Sequence, residues 1–257
     1  MADESRSPVR EENRTGAGPF VIVCDHASNF IPPRYASLGL SGENLHAHIA
    51  WDPGALGVSR RLAAVLDAPL LWPDTSRLVV DCNRDPDAPD LIAAESEGRA
   101  VPGNRGVDEA ERLHRLAAVH VPYHLAIERL IEDRATAGRG TGLVAVHSFT
   151  PVYLGVSRPW EIGIVFDEDR RLSEPLVAAL QDDPALTVGL NQPYGPDDRV
   201  YYTVTRHARA RGLPGVMIEI RNDVIAGGAA ETAWGDRLGA ILASLSAIVS
   251  GEADAAV

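Results

Sequence analysis

Residues 215–223 read Gly-Val-Met-Ile-Glu-Ile-Arg-Asn-Asp, and a carboxylate set in so apolar a run restricts what the chain can fold into. Val216, Met217, Ile218 and Ile220 make a segment of buried-strand length, entered through a Pro214-Gly215 turn signal. Glu219 and Arg221 interrupt its C-terminal end, and at a period of two both side chains point the same way. Burying an unpaired carboxylate is expensive, so Glu219 needs a partner, a metal or a chemical task. Ligands of open α/β sheets sit at the carboxyl ends of the strands, where this glutamate would lie. A structural Glu219–Arg221 pair bracing the sheet is the competing reading of this stretch.

The remaining chain alternates strand and helix patterns, without an internal repeat or a compositional break. Apolar strands are expected at 20–24, 69–72, 77–81, 142–146, 161–166 and 186–190. Helices are expected from Asp52-Pro53-Gly54, with Asp52 as N-cap, and over 108–134 with a break at Pro122. Further helices fall near 171–181, 201–211 and 231–249. This alternation predicts an α/β fold, a single domain over 19–250 whose mixed, mostly parallel sheet carries helices on both faces. Residues 1–18, polar and without an apolar core, read as a disordered leader, and 251–257 as a flexible tail. The stretch 82–107, rich in Asp, Pro and Gly, is a long loop of the kind that serves function.

Every one of the 24 basic residues is an arginine, yet the net charge is −12. That balance argues against nucleic acid as a partner, while a local arginine group can still hold a small anion. Cys24 and Cys82 each end an apolar run and read as buried thiols in a reducing compartment; Cys24 as a nucleophile beside His26 is the alternative. No apolar run is long enough to span a membrane, and the N-terminus lacks the core of a signal peptide, so the cytoplasm is the expected location. Glycine-rich dinucleotide and phosphate-loop patterns are absent.

His26 and His147 each follow an apolar strand directly. A histidine at such a place is often a hydrogen-bonded structural residue, but two of them with acids at other strand ends suggest a metal. Zinc takes imidazole and carboxylate ligands and keeps one position open in catalytic sites. Asp25, Asp52 and Glu219 are the acidic candidates. His120 and His124 have i, i+4 spacing, but Pro122 lies between them and no acid completes the motif. They read as packing or a polar face, as does His114. His46 and His48 sit in a loop and read as surface, with lining a pocket as the alternative, and His207 has a conceivable pocket role. Arg77, Asn83 and Arg84 form a second cluster, suited either to gripping a carboxylate or to pairing with Asp74, Asp81, Asp85 and Asp87.

Taken in order, these segments resemble the N-formylglutamate amidohydrolase family, which is related to zinc carboxypeptidases and to succinylglutamate desuccinylase and aspartoacylase. The resemblance rests on Cys24-Asp25-His26-Ala27-Ser28-Asn29, Ala50-Trp51-Asp52, Ser76-Arg77 through Asn83-Arg84, Pro122-Tyr123-His124, His147-Ser148-Phe149 and Glu219-Ile220-Arg221-Asn222-Asp223. It implies a carboxypeptidase-like fold and one Zn2+ per chain, held by His26, His147 and a carboxylate. The related desuccinylases place a glutamate where this chain has Asn29, so Asp52 is chosen as the third ligand, with Asn29 and Asp25 as alternatives. Glu219 matches the general base, Arg221 is expected beside it on the developing oxyanion, and Arg77, Asn83 and Arg84 match the substrate-carboxylate grip. The implied reaction converts N-formyl-L-glutamate to formate and L-glutamate, a step of histidine catabolism, with a small anionic N-acyl amino acid as partner. Another N-acyl amino acid, a peptidoglycan-type amide, or a binding protein without turnover are the alternatives.

Overall fold

The apolar runs become the centre of one sheet in the computed structural model, which describes residues 6–250. In chain order come β1 (Val9–Glu12), β2 (Phe20–Val23), α1 (Gly42–His46), α2 (Ala55–Val65) and β3 (Leu70–Pro73). A small ribbon of β4 (Glu95–Ser96) and β5 (Arg99–Ala100) precedes α3 (Glu109–Arg115), α4 (Val121–Thr136) and β6 (Gly142–Phe149). A second ribbon, β7 (Val152–Tyr153) and β8 (Val156–Ser157), leads to β9 (Ile162–Val165), α5 (Ser173–Gln181) and β10 (Val188–Leu190). The chain closes with α6 (Tyr202–His207), β11 (Gly215–Arg221), α7 (Gly228–Ser244) and α8 (Ser246–Ser250).

Seven strands pair in the order β1-β3-β2-β6-β11-β9-β10. The four central strands β3, β2, β6 and β11 are parallel, and β9 and β10 run together in the opposite direction. The carboxyl ends of β2, β6 and β11 therefore lie side by side. Register places Glu219 directly opposite His147 on one neighbour and Gly163 on the other. Alternation sends Ile22, Val146, Ile218 and Ile220 toward α2, α5 and α7, and Val23, Ala145 and Met217 toward α4 and α6. Glu219 and His147 share the second face, so the functional side chains extend a core layer beyond its apolar end. On the first face α2 and α7 approach closely because two α7 residues lack side chains. A Cβ on Gly235 would meet Arg61 Cβ at 2.5 Å, and one on Gly239 would meet Val65 Cγ1 at 2.6 Å.

Four expectations change. Val9–Glu12 lies inside the stretch read as a disordered leader, yet it forms the edge strand β1, antiparallel to β3. An edge strand is half wet and needs no apolar core, which is why hydropathy misses it. Residues 1–5 and 251–257, including the expected tail, lie outside the described residues. Residues 77–81 form turns rather than a strand, with Leu78 and Val79 buried in a separate apolar cluster against Leu38 and Ile49. α2 begins at Ala55 after Gly54, whose φ of 83° favours glycine, so Asp52 is not the helix cap. Its carboxylate is left for other work. Finally, the break expected at Pro122 falls just ahead of it, in a π-helical turn over Leu116–His120. Among the described residues no helix is long and apolar enough to cross a membrane.

Candidate active site

β2 ends at Val23, and the next turns carry Asp25 and His26; β6 carries His147; the turn before α2 carries Asp52. Backbone holds these pieces together, because the Asp52 amide donates to the His26 carbonyl at 2.9 Å. His26, Asp52 and His147 are all buried, and one ligand atom from each lies within 4.8 Å of the others. His26 Nδ1 is 3.3 Å and His147 Nδ1 is 2.9 Å from the same oxygen, Asp52 Oδ2. Behind them, His26 Nε2 meets Asp81 Oδ1 at 2.7 Å and His147 Nε2 meets Asp25 Oδ2 at 2.9 Å. A ring whose Nε2 faces a carboxylate turns its Nδ1 the other way, and here both Nδ1 atoms converge on Asp52. Two imidazole nitrogens and one carboxylate oxygen form a donor set that suits zinc.

Asp25, weighed as a possible ligand, therefore serves the other histidine from behind. It also accepts from Tyr123 Oη at 2.7 Å and from Thr203 Oγ1 at 2.8 Å. Asn29 stands aside, its amide donating to the Leu45 carbonyl. Burial would push the Asp52 carboxyl up, but His26, His147 and Arg77 hold it well below the ordinary carboxylate range. Burial alone would depress His147, and its bonds to Asp25 and Asp52 reverse that, raising it to about 10.

Glu219 lies beside this cluster with only 4% of its surface exposed. Its Oε2 has no hydrogen-bond partner among the described residues. Burial raises its carboxyl to about 7; His147 pulls it down and Asp52 adds to the rise. A carboxylate so placed can exchange a proton near neutral pH. It lines one cavity together with His26, Asp52, His147, Arg77, Asn83 and Arg84.

Those three substrate-grip candidates are already engaged. Arg77 donates to Asp52 Oδ1 and to Asp81 Oδ2, each at 3.2 Å. Asn83 spends its amide on the Val200 carbonyl and the Thr203 N–H, which tie the loop after residue 81 to α6. Arg84 binds Asp90 at 3.1 Å and the carbonyls of Asn83 and Arg199 while facing the cavity. Arg221 is not brought to the cavity. It ion-pairs with Glu161 and Asp223 and donates to the carbonyls of Arg158, Pro159 and Trp160, bracing the entry to β9. Arg221 pairs with Glu161 and Asp223 and not with Glu219, so the competing reading of a Glu219–Arg221 brace is not met.

Sequence reasoning also left His48 at the surface. It is buried, lines the cavity, and donates from Nδ1 to Glu97 at 2.5 Å and from Nε2 to the Ser148 carbonyl at 2.7 Å. Both partners accept, so the ring is held as an imidazolium, and Glu97 with Asp52 overcomes the depressing effect of burial. His124 and His207 belong to the packing behind the cavity. Their rings bond at 2.8 Å, and His124 Nε2 donates to the Cys82 carbonyl, steadying the segment before Asn83. Both cysteines are buried and free, and burial pushes the Cys24 thiol up, which leaves no case for a thiolate nucleophile.

Fold and site together define a class: a hydrolase on a mixed, mostly parallel α/β sheet with a histidine–carboxylate cluster at its strand ends. A profile of the N-formylglutamate amidohydrolase family matches residues 18–226, and the chain belongs to that family. A gene product of Agrobacterium tumefaciens of known structure is 44% identical, with a TM-score of 0.89 over 93% of this chain and 96% of that one. An N-formylglutamate amidohydrolase from Ralstonia eutropha is 19% identical, with a TM-score of 0.72 over 96% of this chain and all of that one, a likeness of fold. No curated protein sequence matches the chain.

Proposed function

We propose that this amidohydrolase is zinc-dependent and cleaves N-formyl-L-glutamate to formate and L-glutamate. The observation that carries the reading is the unpartnered Oε2 of Glu219 beside two imidazole nitrogens that converge on Asp52. His26, Asp52 and His147 are the residues that would hold the ion. Zinc bound there supplies Lewis acidity, polarising the formyl carbonyl and bringing the pKa of water down to about 7. Glu219 accepts a proton from the attacking water at Oε2. It then delivers that proton to the amide nitrogen as the carbon–nitrogen bond breaks. Arg84, facing the cavity, receives a substrate carboxylate, and Arg77 keeps the Asp52 carboxylate oriented.

The test is zinc content measured alongside hydrolysis of a small panel of N-acyl amino acids. About one zinc per chain and formate release from N-formylglutamate are expected. A protein that folds without zinc and releases no formate would leave only a binding role. Asp25→Asn is expected to weaken zinc affinity by about 10–100-fold, because the amide can no longer fix the His147 tautomer. Competition with a chelator reads this directly, and unchanged affinity would remove Asp25 from the site. Arg84→Ala is expected to raise KM by about tenfold with kcat nearly kept, since it removes binding common to ground and transition states. A fall in zinc content at constant KM would make Arg84 structural.

A further inference from the structure

Resting on the amidohydrolase reading, we propose that Arg158 is the residue that receives the side-chain carboxylate of the substrate. Arg158 is only 7% exposed, and its Nη1 has no hydrogen-bond partner among the described residues. A buried guanidinium without an anion is costly, and native proteins pair such groups. What surrounds it is aromatic: its guanidinium carbon lies 4.4 Å from the Tyr153 ring centre, 4.7 Å from that of Tyr194 and 5.8 Å from that of Phe149. Cation–π contacts of this kind hold a cation in place, and here they leave Nη1 without a hydrogen-bond partner among the described residues.

Two of those rings belong to the active cavity. Tyr153 and Tyr194 line it with Glu219, Arg77 and Arg84, and both are half-buried. Burial and the charge of Glu219 push the Tyr194 hydroxyl up to about 12, while Arg158 beside it draws it down. Tyr153 sits on the short ribbon of β7 and β8, whose Val152, Leu154 and Val156 are exposed, so its ring can turn aside without disturbing the core. Of the arginines that line the cavity, Arg77 is committed to Asp52 and Asp81, whereas Arg84 pairs with Asp90 at one edge and faces the cavity. Arg84 takes one carboxylate in the proposed reaction. A second one, entering between the tyrosines, meets the unpartnered Nη1 of a guanidinium, a charge-assisted donor for a carboxylate oxygen.

The experiment compares N-formyl-L-glutamate with its neutral isostere N-formyl-L-glutamine in the zinc-loaded wild type, Arg158→Met and Arg158→Lys. Met keeps apolar volume against the rings, and thermal unfolding confirms that each variant folds. Wild type is expected to favour the glutamate compound in kcat/KM by at least tenfold. Arg158→Met is expected to lose that preference by lowering the glutamate value alone, with Arg158→Lys in between. An equal fall on both substrates, or no change on either, overturns the role of Arg158. A wild type that hydrolyses both equally also overturns it while the amidohydrolase reading stands. Calorimetric binding of glutarate against butyrate gives a readout independent of turnover. If neither amide is hydrolysed, the zinc amidohydrolase reading fails. A glutarate preference that vanishes in Arg158→Met then still supports the selector, and equal binding of both acids overturns it.

Discussion

Glu219→Gln is expected to keep zinc and to lose hydrolysis of N-formylglutamate by at least about a hundredfold, the usual contribution of a positioned general base. Glutamine fills the same space on β11 but cannot take a proton from water. The orphaned Oε2 means that no hydrogen bond is broken by the exchange. The variant also separates catalysis from stability. Burial raises the folded-state carboxyl to about 7 from an ordinary 4.5, so in the zinc-free protein the unfolded chain ionises first as pH rises. Between those values the folded state holds more protons, and wild-type stability falls with increasing pH. Glutamine escapes this loss. Zinc-free Glu219→Gln is therefore expected to gain on wild type from about pH 4.5 to pH 7, by up to about 3 kcal/mol. Denaturant midpoints at pH 5 and pH 8 measure the effect. A variant that remains active, or one whose relative stability ignores pH, would show that Glu219 is not an isolated, reluctantly ionised base.

The burial of Glu219 at the strand end was legible because a strand imposes a period and an apolar run imposes burial. Those two facts put its carboxylate inside, and register with β6 then set it opposite His147. Arg221 obeys the same period and faces the same way at the strand end. Its guanidinium is nevertheless consumed by three carbonyls about sixty residues earlier in the chain, which no local pattern foretells. His48 was missed for the same reason. Its partners Glu97 and Ser148 lie far away in sequence, and only the fold brings them together. Asp52 was placed in the site from its position at a helix start, and only the capping role expected of it there is not found. Its freedom from capping is what lets the carboxylate turn to the histidines. Asp25 shows the limit of adjacency, since it backs His147 across the sheet and not its neighbour His26.

Asp52→Asn tests the carboxylate member of the cluster, and its expected result is a fall to below about one zinc per ten chains with hydrolysis down at least about a thousandfold, because the Lewis acid that activates water is lost. The amide keeps the shape of the carboxylate but is a poor zinc ligand, as the harder oxygen and the charge are both gone. It also removes the anion that His26, His147 and Arg77 share, so the zinc-free variant should unfold earlier than zinc-free wild type. Breaking a buried ion pair typically costs about 3–5 kcal/mol, enough to read in a thermal scan. His26→Ala and His147→Ala should lose zinc to the same degree, yet neither leaves Arg77 without its Asp52 partner. The comparison therefore assigns the ligand. If Asp52→Asn retained zinc while both histidine variants lost it, the third ligand would have to be sought elsewhere, and Asp52 would be the anchor of Arg77 alone.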